Sequence, residues 1–282
     1  MSDQRTIAII GGHGGMGRLL ARMLQAQGHT LLIADVDTEL TSSEAAARAD
    51  VTIVSVPIDR TVGVIEDLGA ALHPDALMMD VCSLKAAPVD AMLRSTSAHV
   101  IGTHPMFGPS TTSLHEQVVV CCPARPGSWQ GWVEEVWGRA GARVIECDAD
   151  EHDRIMAVIQ VLRHFATIVF GRALTSLGVD LDRSLAFSSP IYRLELMMTS
   201  RLFAQDPALY ADIEMLNPHR SHVIDAFEEA ARSLGDMVRG GRRDAFIHAF
   251  TDIASFFGPF REEAMAASER VLTALAPSAP EP

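Results

Sequence analysis

Seven residues near the start constrain this chain most: Gly11-Gly12-His13-Gly14-Gly15-Met16-Gly17. Before them stands Thr6-Ile7-Ala8-Ile9-Ile10, a β-branched apolar run suited to a fully buried parallel strand. After them, Leu19, Leu20, Met23 and Leu24 recur at helical spacing from Arg18 to Gln27, until Gly28 stops the pattern. His29-Thr30-Leu31-Leu32-Ile33-Ala34 then reads as a second strand ending at Asp35. Strand, glycine turn, helix and strand within about 30 residues make one supersecondary unit.

The glycines have the G-x-G-x-x-G spacing of a dinucleotide-binding turn. Gly12 permits the tight turn, Gly14 lets backbone approach a pyrophosphate, and Gly17 lets the helix pack on the strand. Amide N–H groups of the helix start, around Met16, then face the phosphates. Asp35 is placed to accept hydrogen bonds from the adenosine ribose and to repel a 2′-phosphate, which favours NAD over NADP; Asp37 competes for that role.

The alternation continues. Val51 to Val56 is a strand stopped by Pro57, Leu77 to Val81 is another, and Val100 to Thr103 leads into His104. Gln117 to Cys121 and Arg143 to Glu146 complete an α/β fold of the Rossmann type, a doubly wound sheet expected over residues 1–148. From 149 to 282 the pattern is all-helical, predicting helices over Glu151 to Gly171, Leu185 to Ala204, Pro218 to Arg239 and Asp244 to Leu275. Ala276 to Pro282 reads as a frayed tail. So many apolar faces in under half the chain favour a homodimer through the helical domain, with a self-contained bundle as the alternative.

Open α/β sheets hold ligands at the carboxyl ends of their strands. Ser55 and Pro57, Ser83 and Lys85, and His104 all fall there, and histidine is the side chain best suited to moving a proton near neutral pH. Lys85 is also the only lysine in the chain, a hint that its position needs an ammonium. The helical part adds His164, Arg193 and Arg201. An arginine in so apolar a helix needs a carboxylate. It is supplied either by Glu195 or Asp206, or, at Arg201, by a substrate. His152, at a helix start, ranks below these.

The formal charge of -13 argues against non-specific nucleic-acid binding, which needs a basic face. Cys82, Cys121, Cys122 and Cys147 lack C-x-x-C spacing and read as reduced buried thiols, with no metal site. No apolar run reaches membrane-spanning length and no signal peptide precedes the first strand, so a cytoplasmic protein is expected.

Several strings together resemble the bacterial prephenate dehydrogenases, above all the dehydrogenase half of the bifunctional chorismate mutase–prephenate dehydrogenase. They are the glycine loop, Ser55 to Ile58, Ser83-Leu84-Lys85, His104 to Pro109, Glu151-His152-Asp153, Leu162 to Thr167, Ser188 to Glu195, and Arg201 to Pro207. The resemblance implies NAD-dependent oxidative decarboxylation of prephenate to 4-hydroxyphenylpyruvate, in tyrosine biosynthesis, by a monofunctional enzyme. It implies His104 as the base, Arg201 on a substrate carboxylate, Ser83 on the 4-hydroxyl or the nicotinamide, and His164 as a polar wall. Lys85 is implied either as positive charge near the anionic substrate or as a structural residue. Relatives carry Asp or Glu where Ser110 stands, which leaves 4-amino-4-deoxyprephenate and arogenate as alternative substrates. Loss of the base or the buried arginine would have favoured a non-catalytic NAD sensor. Inhibition by tyrosine is not legible, although Tyr210 and His219 lie near the candidate pocket in sequence.

Overall fold

Successive residues of the first strand face opposite layers, as the period of two requires. In a computed structural model, which describes residues 4–275, β1 (Thr6–Ile10) sends Ile7 and Ile9 to one side and Ala8 and Ile10 to the other. A strand apolar on both faces needs helices on both, and the chain supplies them. α1 (Gly15–Ala26) and α5 (Gln130–Arg139) carry Leu20, Leu24, Val133 and Trp137 into the first core. α2 (Ser42–Arg48), α3 (Ile58–Leu68) and α4 (Ala86–Ser95) carry Ala45, Ile65 and Met92 into the second.

The other strands are β2 (Thr30–Ala34), β3 (Val51–Val54), β4 (Leu77–Asp80), β5 (His99–Pro105), β6 (Val118–Arg125) and β7 (Arg143–Glu146). They form one seven-stranded sheet in the order β2-β1-β3-β4-β5-β6-β7, parallel except for the β5–β6 pair. The doubly wound expectation holds, with every strand core where the sequence put it. Because β1, β3, β4 and β5 are mutually parallel, their carboxyl ends share one edge, and the candidate residues Ser55, Ser83 and His104 are on it.

Two compact units divide the described chain. The first runs as far as Gln160 and includes Leu209–Arg220; the second comprises Val161–Ala208 and the residues from Ser221 onwards. In the first unit α6 (Ala149–Met156) begins at Asp148, whose carboxylate accepts from the Glu151 amide at 2.7 Å. A π-helical turn over Ala157–Leu162 leads into α7 (Arg163–Ser176). Then come α8 (Leu181–Ala186), α9 (Pro190–Phe203), α10 (Pro207–Leu216), α11 (Arg220–Arg239), α12 (Arg243–Phe257) and α13 (Phe260–Leu275).

The expected long helices break where local chemistry demands. Ser189 caps α9 and Pro190 occupies its first turn, cutting the segment expected over Leu185 to Ala204. Gly258, at φ 49°, separates α12 from α13. The expected tail, Ala276 to Pro282, lies outside the described residues. One sequence expectation is corrected: the helical stretch Ala149–Ser176 is long and apolar enough, by length and composition, to cross a membrane. Its first turn nevertheless carries Asp150 and Glu151, and the adjacent His152 and Asp153 are buried in protein contacts.

Candidate active site

The glycine loop fits a dinucleotide on steric grounds. Gly11 sits at φ +81°, and a Cβ there would lie 2.3 Å from the Ser55 carbonyl oxygen. A Cβ on Gly17 would lie 2.4 Å from the Gly11 oxygen and 2.8 Å from the Gly12 Cα, so α1 packs on the turn only because that side chain is missing. Gly14 is the N-cap of α1 and offers no side-chain cap, which leaves the first-turn amides available to an outside acceptor. Met16 is half-buried and packs against the Ile7–Ile9 core, anchoring the loop from below. At the end of β2 the Asp35 carboxylate accepts from the His13 and Val36 amides, each at 2.8 Å. Ser55 follows β3, and Pro57 is the N-cap of α3.

His104 is not in a loop. It is the penultimate residue of β5, opposite Val120 of β6, and is buried. Its Nδ1 lies 2.9 Å from His152 Nε2, and His152 Nδ1 lies 2.8 Å from Asp153 Oδ1. Asp153 in turn caps α4, which has no side-chain cap of its own: its two oxygens accept from the Lys85 amide at 2.7 Å and the Ala86 amide at 2.9 Å. Burial pushes the Asp153 carboxyl up, but the His152 contact and the two helix amides pull it below its ordinary value. Asp153 is therefore ionised near neutral pH.

An ionised Asp153 fixes the proton nearest it: a carboxylate only accepts, so His152 Nδ1 carries hydrogen. His152 Nε2 then engages His104 Nδ1, which leaves His104 Nε2 as the ring nitrogen without a protein partner among the described residues. Burial, then the neighbouring His152 and Lys85, hold His104 well below its ordinary value, so it stays neutral. Asn217 completes the support, donating to the Asp153 carbonyl oxygen at 2.9 Å.

Lys85 is placed differently from a substrate ligand. It is fully buried, and its ammonium pairs with Asp80 and donates to the Thr103 carbonyl oxygen at 2.7 Å. It thereby ties the ends of β4 and β5 together. Burial raises the Asp80 carboxyl, and the ammonium opposes that rise. Ser83 is half-buried in the turn between β4 and α4, and Ser110 is exposed in the loop after β5.

In the second unit His164 lies on α7 and Arg201 on α9. Burial, and secondarily Arg163, push His164 down to about 4. Arg201 is exposed, and among the described residues neither it nor Arg193 has a carboxylate within ion-pair distance; Arg193 donates to the Leu185 carbonyl oxygen at 3.4 Å. The expectation of an internal salt bridge to Glu195 or Asp206 is not met. The four cysteines are free thiols; Cys82, Cys121 and Cys122 are buried and Cys147 is partly so.

Reasoning from sequence ranked His152 low and passed over Asp153 and Asp80. One signal was available: His152 and Asp153 belong to a run of titratable residues, Asp150 to Arg154, that opens the otherwise apolar helical stretch Ala149–Ser176. Nothing in their spacing reveals that they meet a histidine 48 positions earlier.

Residues 21–146 match the family model described as prephenate dehydrogenase, nucleotide-binding domain, and residues 148–252 match prephenate dehydrogenase, dimerization domain. A T-protein from Enterobacter agglomerans is 40% identical over 281 residues, covering 99% of this chain and 74% of its own. A probable arogenate/prephenate dehydrogenase from Methanocaldococcus jannaschii is 35% identical, covering 96% of this chain and 65% of its own. The fold matches the crystal structure of prephenate dehydrogenase from Aquifex aeolicus, in complex with hydroxyphenyl propionate and NAD+. There the TM-score is 0.73 at 20% identity, over 90% of this chain and 97% of that one.

Proposed function

The chain belongs to the prephenate dehydrogenase family and is an oxidoreductase, and on that premise we propose that it converts prephenate to 4-hydroxyphenylpyruvate in tyrosine biosynthesis, using NAD. The observation carrying this reading is the buried, neutral His104, whose Nδ1 is committed to His152 and whose Nε2 is left for the substrate. Bound NAD supplies the hydride acceptor. His104 Nε2 takes the proton of the substrate's 4-hydroxyl as hydride leaves C4. The C1–carboxylate bond breaks, carbon dioxide departs, and the bonding pair completes the aromatic ring, the C4 oxygen taking its proton back from His104 to give the phenol. Aromatisation drives the reaction, so the protein's task is to orient the ring and hold one base in the right tautomer.

His152 and Asp153 perform the second task. The imidazolium formed on His104 shares its Nδ1 proton with His152, which the Asp153 carboxylate makes the stronger acceptor. Ser83 hydrogen-bonds the 4-hydroxyl or the nicotinamide, Arg201 takes a substrate carboxylate as a bidentate partner, and His164 walls the ring. Gly12, Gly14, Met16, Gly17, Asp35, Ser55 and Pro57 form the cofactor site. Lys85 acts through the Asp80 pair and not on substrate.

A base poised for a hydroxyl proton favours prephenate or arogenate over 4-amino-4-deoxyprephenate, whose nitrogen lone pair assists hydride loss without one. NADH formation by the purified protein, offered each of the three with NAD or NADP, tests the reading. Preference for prephenate with NAD is expected; preference for the amino compound would overturn it. The enzyme works as a cytoplasmic homodimer, the partner covering the apolar faces of the helical unit.

A further inference from the structure

The turn between β1 and α1 carries an imidazole at a position where phosphate binding asks only for backbone. His13 stands between Gly12 and Gly14, and it holds two carboxylates at once. Its amide donates to Asp35 Oδ2 at 2.8 Å, and its Nδ1 lies 2.8 Å from Asp37 Oδ1. Thr38 closes the same turn, its hydroxyl accepting from the Asp35 amide and its own amide donating to the Asp35 carbonyl oxygen at 3.2 Å. Val36, between the two acids, is fully exposed. A surface aspartate ordinarily swings among rotamers and its field is screened by solvent. Asp37 is 68% exposed but held at one oxygen by the same His13 whose amide holds Asp35, which keeps both carboxylates on the glycine turn.

We infer that Asp37, fixed by His13, is a second determinant of cofactor choice, excluding a 2′-phosphate from the adenosine ribose site in parallel with Asp35. The inference rests on the reading of the glycine loop as an NAD site. Each carboxylate has about four lone-pair directions, so both retain acceptor capacity for ribose hydroxyls after the contacts above. The His13 Nδ1 is turned to Asp37, so that nitrogen is not available to a phosphate. Among the described residues no arginine or lysine pairs with either acid. A 2′-phosphate would meet two carboxylates; ribose hydroxyls would meet acceptors. Selectivity is therefore redundant, and removing Asp35 alone leaves a working barrier.

The experiment is calorimetric titration of the full-length protein with 5′-AMP and with adenosine 2′,5′-bisphosphate, beside NADH and NADPH formation rates. It compares wild type, Asp35→Asn, Asp37→Asn, the double variant and His13→Ala. Asp37→Asn is expected to move the preference toward the 2′-phosphorylated ligand by about threefold to tenfold, the size of one like charge removed at the protein surface. The double variant should move it further than Asp35→Asn alone, and His13→Ala should move it in the same direction by less. Unchanged preference in Asp37→Asn, in both Asp35 backgrounds, would overturn the inference. A shift in Asp37→Asn with none in His13→Ala would overturn the pinning. Failure of the wild type to bind 5′-AMP or NAD would instead overturn the cofactor reading beneath it.

Discussion

The two units of this protein handle burial in opposite ways. In the first, polar and charged groups lie inside and are paired: Lys85 with Asp80, His104 with His152, Asp153 with two helix amides. In the second, apolar groups lie outside: α7, α8, α12 and α13 contain no fully buried residue, and Phe187, Phe203, Phe250, Phe256 and Phe260 are all exposed. A sheet covered on both faces can complete its own core, whereas these helices leave large apolar side chains exposed. The first unit is built for placing chemistry and the second for being covered, in keeping with its match to a dimerization domain.

The largest expected effect tests the chemistry of the first unit. His104→Asn should lose about 10²–10⁴-fold in turnover, the usual contribution of a general base, while NAD binding measured by titration persists. Near-normal turnover would remove His104 from the mechanism. Asp153→Asn should cost less and should move the acidic limb of the pH–rate profile, because the amide no longer fixes the His152 tautomer.

Next comes the cost of an unpaired buried charge. Lys85→Met leaves Asp80 alone in the core and should destabilise the protein by about 3–5 kcal/mol, read from denaturant midpoints. Lys85→Met with Asp80→Leu should recover much of that loss. Recovery of neither stability nor fold in the double variant would mean that the pair does more than neutralise itself.

The helical unit should respond to charge at its surface. Phe256 is 85% exposed, so Phe256→Asp should leave a lone chain's stability within about 0.5 kcal/mol. Covered by a partner, the same substitution should weaken association by about 1.5–3 kcal/mol, seen as a fall in sedimentation mass on dilution. An unchanged mass at every concentration would place Phe256 outside any dimer contact.

The last effect is a pH dependence of stability. His104 is held well below its ordinary value and His164 is lowered to about 4. At these two histidines the unfolded chain binds protons that the folded chain refuses, so their contribution, present above about 6.5, should decline as pH falls toward about 4, while the Glu214 carboxyl, raised by burial to about 7, works in the opposite sense over the same interval. Thermal midpoints whose pH dependence is unchanged by His164→Gln would contradict the burial of a neutral His164.

Much of the first unit was readable because its signals are local. A strand of β-branched residues, a glycine turn and an amphipathic helix each report their own conformation within a few positions, and all seven strand cores fell where the alternation put them. Lys85 shows the limit. Its solitary status marked the position, but whether an ammonium at a strand end points outward or into the core depends on Asp80, five residues earlier, and on the Thr103 carbonyl of a neighbouring strand.

Sequence alone determined the doubly wound sheet, the glycine loop, the candidate histidine and the helical character of the second half. Each follows from backbone sterics and hydrophobic period, which act over one to a few turns. Tertiary structure alone decided which nitrogen of His104 is held by protein. The row of contacts passes from two amides at the start of α4, through Asp153 and His152 on α6, to β5, and hydrogen bonds between elements far apart in the chain leave no periodic trace in it.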